Sequence, residues 1–182
     1  MWFYLWPHTV YHLMRWFPRN NRVKARVVVI LFTLALLVPQ FVILFQPHTG
    51  RYCGGHLLEL LITGVVLSFL MAGFSIIFSI MDPVANQIKI AFHVSGVINL
   101  LYLVSCTVLF FTKSADCLVN TQELYYYSLA MLTLSLVAAA LLLVTIPFWI
   151  ANSLHKDNIL NMKQRDGVCY EPVRCCQCIW HI

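Results

Sequence analysis

The sequence predicts an all-α integral membrane protein: one bundle of four transmembrane helices, both termini cytosolic, with a short interfacial helix ahead of the first span. Three observations carry this. The 182-residue chain is 60% apolar and only 10% charged, with a mean hydropathy of +0.78, whereas a soluble domain carries roughly 25% charged residues. Four continuous apolar runs, 27–45, 57–80, 90–111 and 124–150, each reach the ~20 residues a helix needs to cross ~30 Å of hydrocarbon. Ten of the 12 Lys/Arg fall on one side of the topology these runs define. The runs are unbroken rather than alternating, which favours helices over a barrel, since a helix satisfies its own backbone in lipid. The resulting layout is an interfacial segment 1–22, a transmembrane domain 23–155 and a Cys-rich tail 156–182.

The first 22 residues hold Trp2, Phe3, Tyr4, Trp6, Tyr11, Trp16 and Phe17. Val10, Leu13, Met14 and Phe17 share one helical face, with His12 and Arg15 off it. That pattern suits a helix lying on the cytosolic leaflet with its rings at headgroup depth; the alternative is an aromatic-rich flexible terminus. Pro7, His8 and His12 interrupt any apolar core, so a cleavable signal is not expected. In the first span, Pro39 removes a backbone donor and predicts a kink, while the neighbouring Gln40 needs a partner within the bundle. The second span carries Gly64, Ser68 and Ala72 at spacing four, the third Ala91, Ser95 and Asn99, and the fourth Ser135 and Ala139. Small residues at this spacing let backbones approach closely, so these stripes are the expected internal seams. A homodimer contact through one of them is the lesser alternative. The fourth run opens with Tyr125, Tyr126 and Tyr127 and closes with Phe148 and Trp149, aromatic markers of the two interfaces.

Flanking charge sets the orientation. Arg15, Arg19, Arg22, Lys24, Arg26, Lys89, Lys156, Lys163, Arg165 and Arg174 lie on the side of the termini, against Arg51 and Lys113 on the other. This places the termini in the cytosol, beside anionic lipid. The basic residues adjoin the spans and form no separate domain, so nucleic acid is not an expected partner. The compartment is a plasma membrane or an endomembrane. The same bias puts Cys53 and Cys117 in the two exterior loops, where an oxidising compartment favours a disulfide between them; two unpaired thiols are the alternative. Cys106, inside the third run, reads as a small buried apolar residue.

Ionisable or strongly polar groups within spans are few: Gln40, His56, Glu59, His93 and Asn99. His56 and Glu59 share a face at the start of the second span. They form either a proton- or cation-responsive pair or an interfacial pair near Arg51 and Lys113, the latter favoured by their shallow depth. No mid-depth carboxylate, no broken-helix pair and no His/Asp/Glu cluster of catalytic spacing appears, so a carrier or an enzyme is not expected. Neither is a metal or cofactor. The tail cysteines Cys169, Cys175, Cys176 and Cys178 follow C-x5-C-C-x-C, which fits neither zinc spacing nor a C-x-x-C redox pair. Four residues follow Cys178, one too many for a prenylation box. Their place near the membrane, among basic and aromatic residues, suits S-palmitoylation.

Four spans, both ends cytosolic, short exterior loops and juxtamembrane cysteines together resemble the MARVEL-like tetraspan proteins, including their lysosome-associated four-span relatives, over residues 24–155. The claudin-type first loop is absent, since Cys53 is the single cysteine of a short loop. The resemblance implies a non-enzymatic scaffold, a trafficking factor or an accessory subunit whose partner is a larger membrane protein or a second copy of itself. The alternative is a small channel or proton-coupled transporter subunit using His56 and Glu59.

Overall fold

The structure is a computed structural model that describes residues 1–16, 22–49, 53, 56–81 and 84–154. Every regular element among these is helical: α1 (Trp2–Trp16), α2 (Arg22–Ala35), α3 (Val38–Leu44), α4 (Leu57–Ile80), α5 (Asn86–Lys113), α6 (Ala115–Asn120) and α7 (Gln122–Leu154). Four stretches are long and apolar enough to cross a membrane, by length and composition: Val23–Leu44, Leu57–Ile80, Asn86–Thr112 and Gln122–Pro147.

The first of these stretches is two helices. Pro39 has no N–H to give the Ala35 carbonyl, and its ring crowds that carbonyl. Accordingly α2 ends at Ala35 and α3 restarts with the proline in its first turn. At the other end of α2, Arg26 Nε donates to the Ser79 carbonyl at 2.7 Å. That carbonyl belongs to the last turn of α4, where no intrahelical donor remains and the helix dipole favours a cation.

α4 is the hub. Nearly half of its span (44%) is covered, against 17% for the span in α7, and α1, α2, α3, α5 and α7 all pack on it. The sequence expects α1 on a leaflet surface; in the structure it packs against the long helices. It runs along α4 and also touches α2, α5 and α7. Phe3 packs with Leu67 and Met71, Tyr11 with Phe78 and Phe92, and Val10 and Met14 with Val29. A helix on a bilayer surface buries one face. Here Phe3, Pro7, Val10, Tyr11 and Met14 form one buried face, and His12, which lies off that face, is buried as well. The chemistry of that fit is explicit: Trp6 Nε1 donates to Thr33 Oγ1 at 2.9 Å, Tyr4 stacks on Phe92 with centroids 4.4 Å apart, and its hydroxyl meets His93 Nδ1 at 3.2 Å. Gly96 makes room for the Tyr4 ring, which lies where a side chain at 96 would begin.

Cys53 and Cys117 stand at disulfide-bonding distance, Cα to Cα 4.7 Å. The pair joins the α3–α4 connection to α6, and both residues are buried with Leu57, Leu61, Phe110 and Leu124.

Candidate functional site

The interior of the disulfide half holds a cavity between helices, largely apolar with a few polar groups on its wall. It begins with Gln40, which α3 projects onto α4. Gln40 Nε2 donates to Ser68 Oγ, and Ser68 Oγ donates in turn to the Gly64 carbonyl at 2.8 Å. Because the single Ser68 hydroxyl proton is committed to Gly64, the amide must present its NH2 group to Ser68. Its carbonyl oxygen is left over. Gln40 is 3% exposed and Oε1 has no hydrogen-bond partner among the described residues.

One turn away, Tyr102 on α5 donates its hydroxyl to the Leu60 carbonyl at 2.8 Å. This bond exists because position 64 is glycine: an added Cβ there would sit 2.9 Å from the Tyr102 hydroxyl. Gln40, Gly64 and Tyr102 then border a cavity completed by Leu61, Leu103, Cys106 and Phe110, with Tyr127, Ser128 and Ser135 on the α7 side and Phe3 of α1 at its edge. About 40 Å³ of it is open to the centres of water molecules. No charged side chain lines it, and the α-ammonium of Met1 lies within electrostatic reach of Cys106 on its wall.

The stripe Gly64, Ser68 and Ala72 is buried, facing Tyr102 and Phe3 at Gly64 and Gln40 at Ser68. On α7, Ser135 is buried and Ala139 half-buried, while the neighbouring Ala138 is more deeply covered. On α5 the inward face differs from the expected one. Ala91 is exposed and Gly96 takes its place beside Ser95 and Asn99, because Tyr4 of α1 packs there. Asn99 donates to the Ser95 carbonyl of its own helix at 2.8 Å, not across the bundle, and its Oδ1 has no partner among the described residues.

His56 Nδ1 and Glu59 Oε1 lie 3.4 Å apart, with both side chains exposed at the start of α4. His93 is exposed near the start of α5, at the opposite end of the bundle, and meets Tyr4. The five polar residues singled out within the spans therefore do not converge: of them Gln40 alone reaches the cavity, with Ser135 of the expected α7 seam on its wall. Arg51 and the tail cysteines Cys169, Cys175, Cys176 and Cys178 lie outside the described residues. Among the described residues no three His, Cys, Asp or Glu side chains come together as a metal site would require.

Sequence reasoning missed Tyr102, Tyr127 and Cys106 as cavity residues. A signal for Tyr102 was present, since tyrosines concentrate at the ends of spans and this one sits in the middle of α5. Compared with known proteins, the chain matches no family model, no curated protein and no solved structure.

Proposed function

We propose that the chain is a multi-pass membrane protein with both termini cytosolic, acting without catalysis as a scaffold, trafficking factor or accessory subunit through lateral contacts between helices. The observation that supports this best is the uneven cover of the bundle. The span of α7 is the least buried of the four. Its exposed residues Leu134, Val137, Leu141 and Val144 recur three and four apart and so form one continuous outward face. In lipid such association depends on close packing, since tails are as apolar as leucine. An outward face on the helix its own chain covers least suits a neighbouring transmembrane helix of a larger membrane protein or of a second copy.

The orientation rests on the charge bias, with Lys24 and Arg26 at the start of the first span and Lys89 at the start of α5 on the termini side. The MARVEL-like resemblance agrees with this reading in span number and loop length alone. On the same orientation Cys169, Cys175, Cys176 and Cys178 are cytosolic and available for acylation, and Cys53 and Cys117 face an oxidising compartment. Purification in a gentle detergent tests the role. A stoichiometric larger membrane protein, or a defined oligomer, is the expected result; a reproducibly solitary chain contradicts it.

A further inference from the structure

The cavity beside Gln40 has a chemistry of its own. An amide oxygen buried to this degree without a partner costs about 1–3 kcal/mol, and a buried polar group left over in a roomy site normally meets water or a ligand. Four features define what fits. The acceptor Gln40 Oε1 calls for a hydrogen-bond donor. Hydroxyls of Tyr127, Ser128 and Ser135 on the far wall can donate or accept. The remaining wall of Leu61, Leu103, Phe110 and Leu132 is apolar and no charged side chain lines the cavity, which favours a neutral occupant over an ion whose desolvation no side chain offsets. At roughly 10–15 Å³ of centre-accessible space per water, the 40 Å³ available holds about three waters, or one short-chain alcohol of similar bulk.

We infer that this cavity is a binding site for small neutral hydroxyl compounds, donating to Gln40 Oε1 and bridging α3 to the hydroxyls of α7. Water and a membrane-soluble alcohol share that chemistry. An occupant placed there links the first span to α7, two elements whose direct contact is slight. It thereby sets how firmly α7 seats on the bundle, and the same helix carries the outward stripe Leu134, Val137, Leu141 and Val144. Filling the site is a means of adjusting that face from inside.

The test uses the full-length protein in lipid bilayers, labelled with 15N-glutamine and 13C-leucine, with Gln40→Met to assign the Gln40 side-chain signal. Water-edited magnetisation transfer is compared between the Gln40 side-chain amide and the Leu132 methyls, then repeated during titration with 1-propanol. Early transfer to Gln40, several-fold ahead of Leu132, supports the site and identifies water as the occupant. Loss of that transfer on titration, with a rise in thermal midpoint that Ser135→Leu abolishes, adds the alcohol. Transfer that propanol leaves untouched restricts the site to water. Gln40 transfer no faster than that of Leu132, with no propanol-induced change in the Gln40 signal, overturns the proposal: the cavity is then dry and the amide simply unsatisfied.

Discussion

The position of α1 yields the sharpest mechanical prediction. A Cβ at Gly96 would lie 2.7 and 2.8 Å from two ring carbons of Tyr4, closer than real contacts allow. The ring cannot simply withdraw, because its face is stacked on Phe92 and its hydroxyl is bonded to His93. Gly96→Leu therefore forces Tyr4 out and removes both interactions. A stacked aromatic pair contributes about 0.5–1.5 kcal/mol and a hydrogen bond a similar amount net, so the docking of α1 weakens by about 1–3 kcal/mol. At about 1.4 kcal/mol per tenfold, the undocked population rises roughly 5- to 150-fold. Val10 is fully buried and Thr9 exposed, which gives the assay. In a background that keeps Cys53 and Cys117 and replaces the other cysteines with serine, Val10→Cys is labelled slowly by a membrane-impermeant maleimide and Thr9→Cys rapidly. Adding Gly96→Leu accelerates labelling at position 10 by the stated factor and leaves position 9 unchanged. Equal rates at position 10 with and without the substitution would refute the docking of α1 through Tyr4 and Gly96.

Three further outcomes follow from named contacts. Replacing Cys53 or Cys117 with serine opens a link across 64 residues, worth about 4 kcal/mol by loop-closure entropy; thermal unfolding should drop markedly, and reduction should shift wild-type gel mobility but not that of the variant. Gly64→Ala drives the Tyr102 hydroxyl off the Leu60 carbonyl, a loss of about 1 kcal/mol read as a lowered thermal midpoint that Tyr102→Phe in the same chain does not deepen. Arg26→Gln removes a charged donor from the end of α4 and costs about 1.5–3 kcal/mol, with Arg26→Lys recovering part of it through the retained charge.

The spans were legible because a membrane leaves few alternatives: long apolar runs become helices, and their ends follow composition. The Cys53–Cys117 pairing was legible for a related reason, since charge bias alone put both residues in loops on one side. The break at Pro39 came from the missing N–H. The placement of α1 was not legible. Trp, Tyr and His along one short helix read the same whether they meet headgroups or pack on Phe78 and Phe92, and those partners lie some seventy or more positions away in sequence. The α5 seam changed at one position for the same reason: Ser95 and Asn99 are buried as their spacing suggests, but the packing of Tyr4 selects Gly96 over Ala91. The cavity escaped detection because it is a property of four walls at once. Gln40 was recognisable as needing a partner, yet the sequence could not show that Ser68 would satisfy only its NH2 group.

Site-specific photo-crosslinking in native membranes probes the lateral contacts proposed for α7. A photoreactive residue is placed at Val137 or Val144 on the outward stripe of α7, and at Val97 or Val104 on the exposed face of α5 as reference. Discrete protein adducts, with a larger membrane protein or a second copy, are expected from the α7 positions and lipid adducts from α5. Lipid adducts alone from both helices would contradict those contacts.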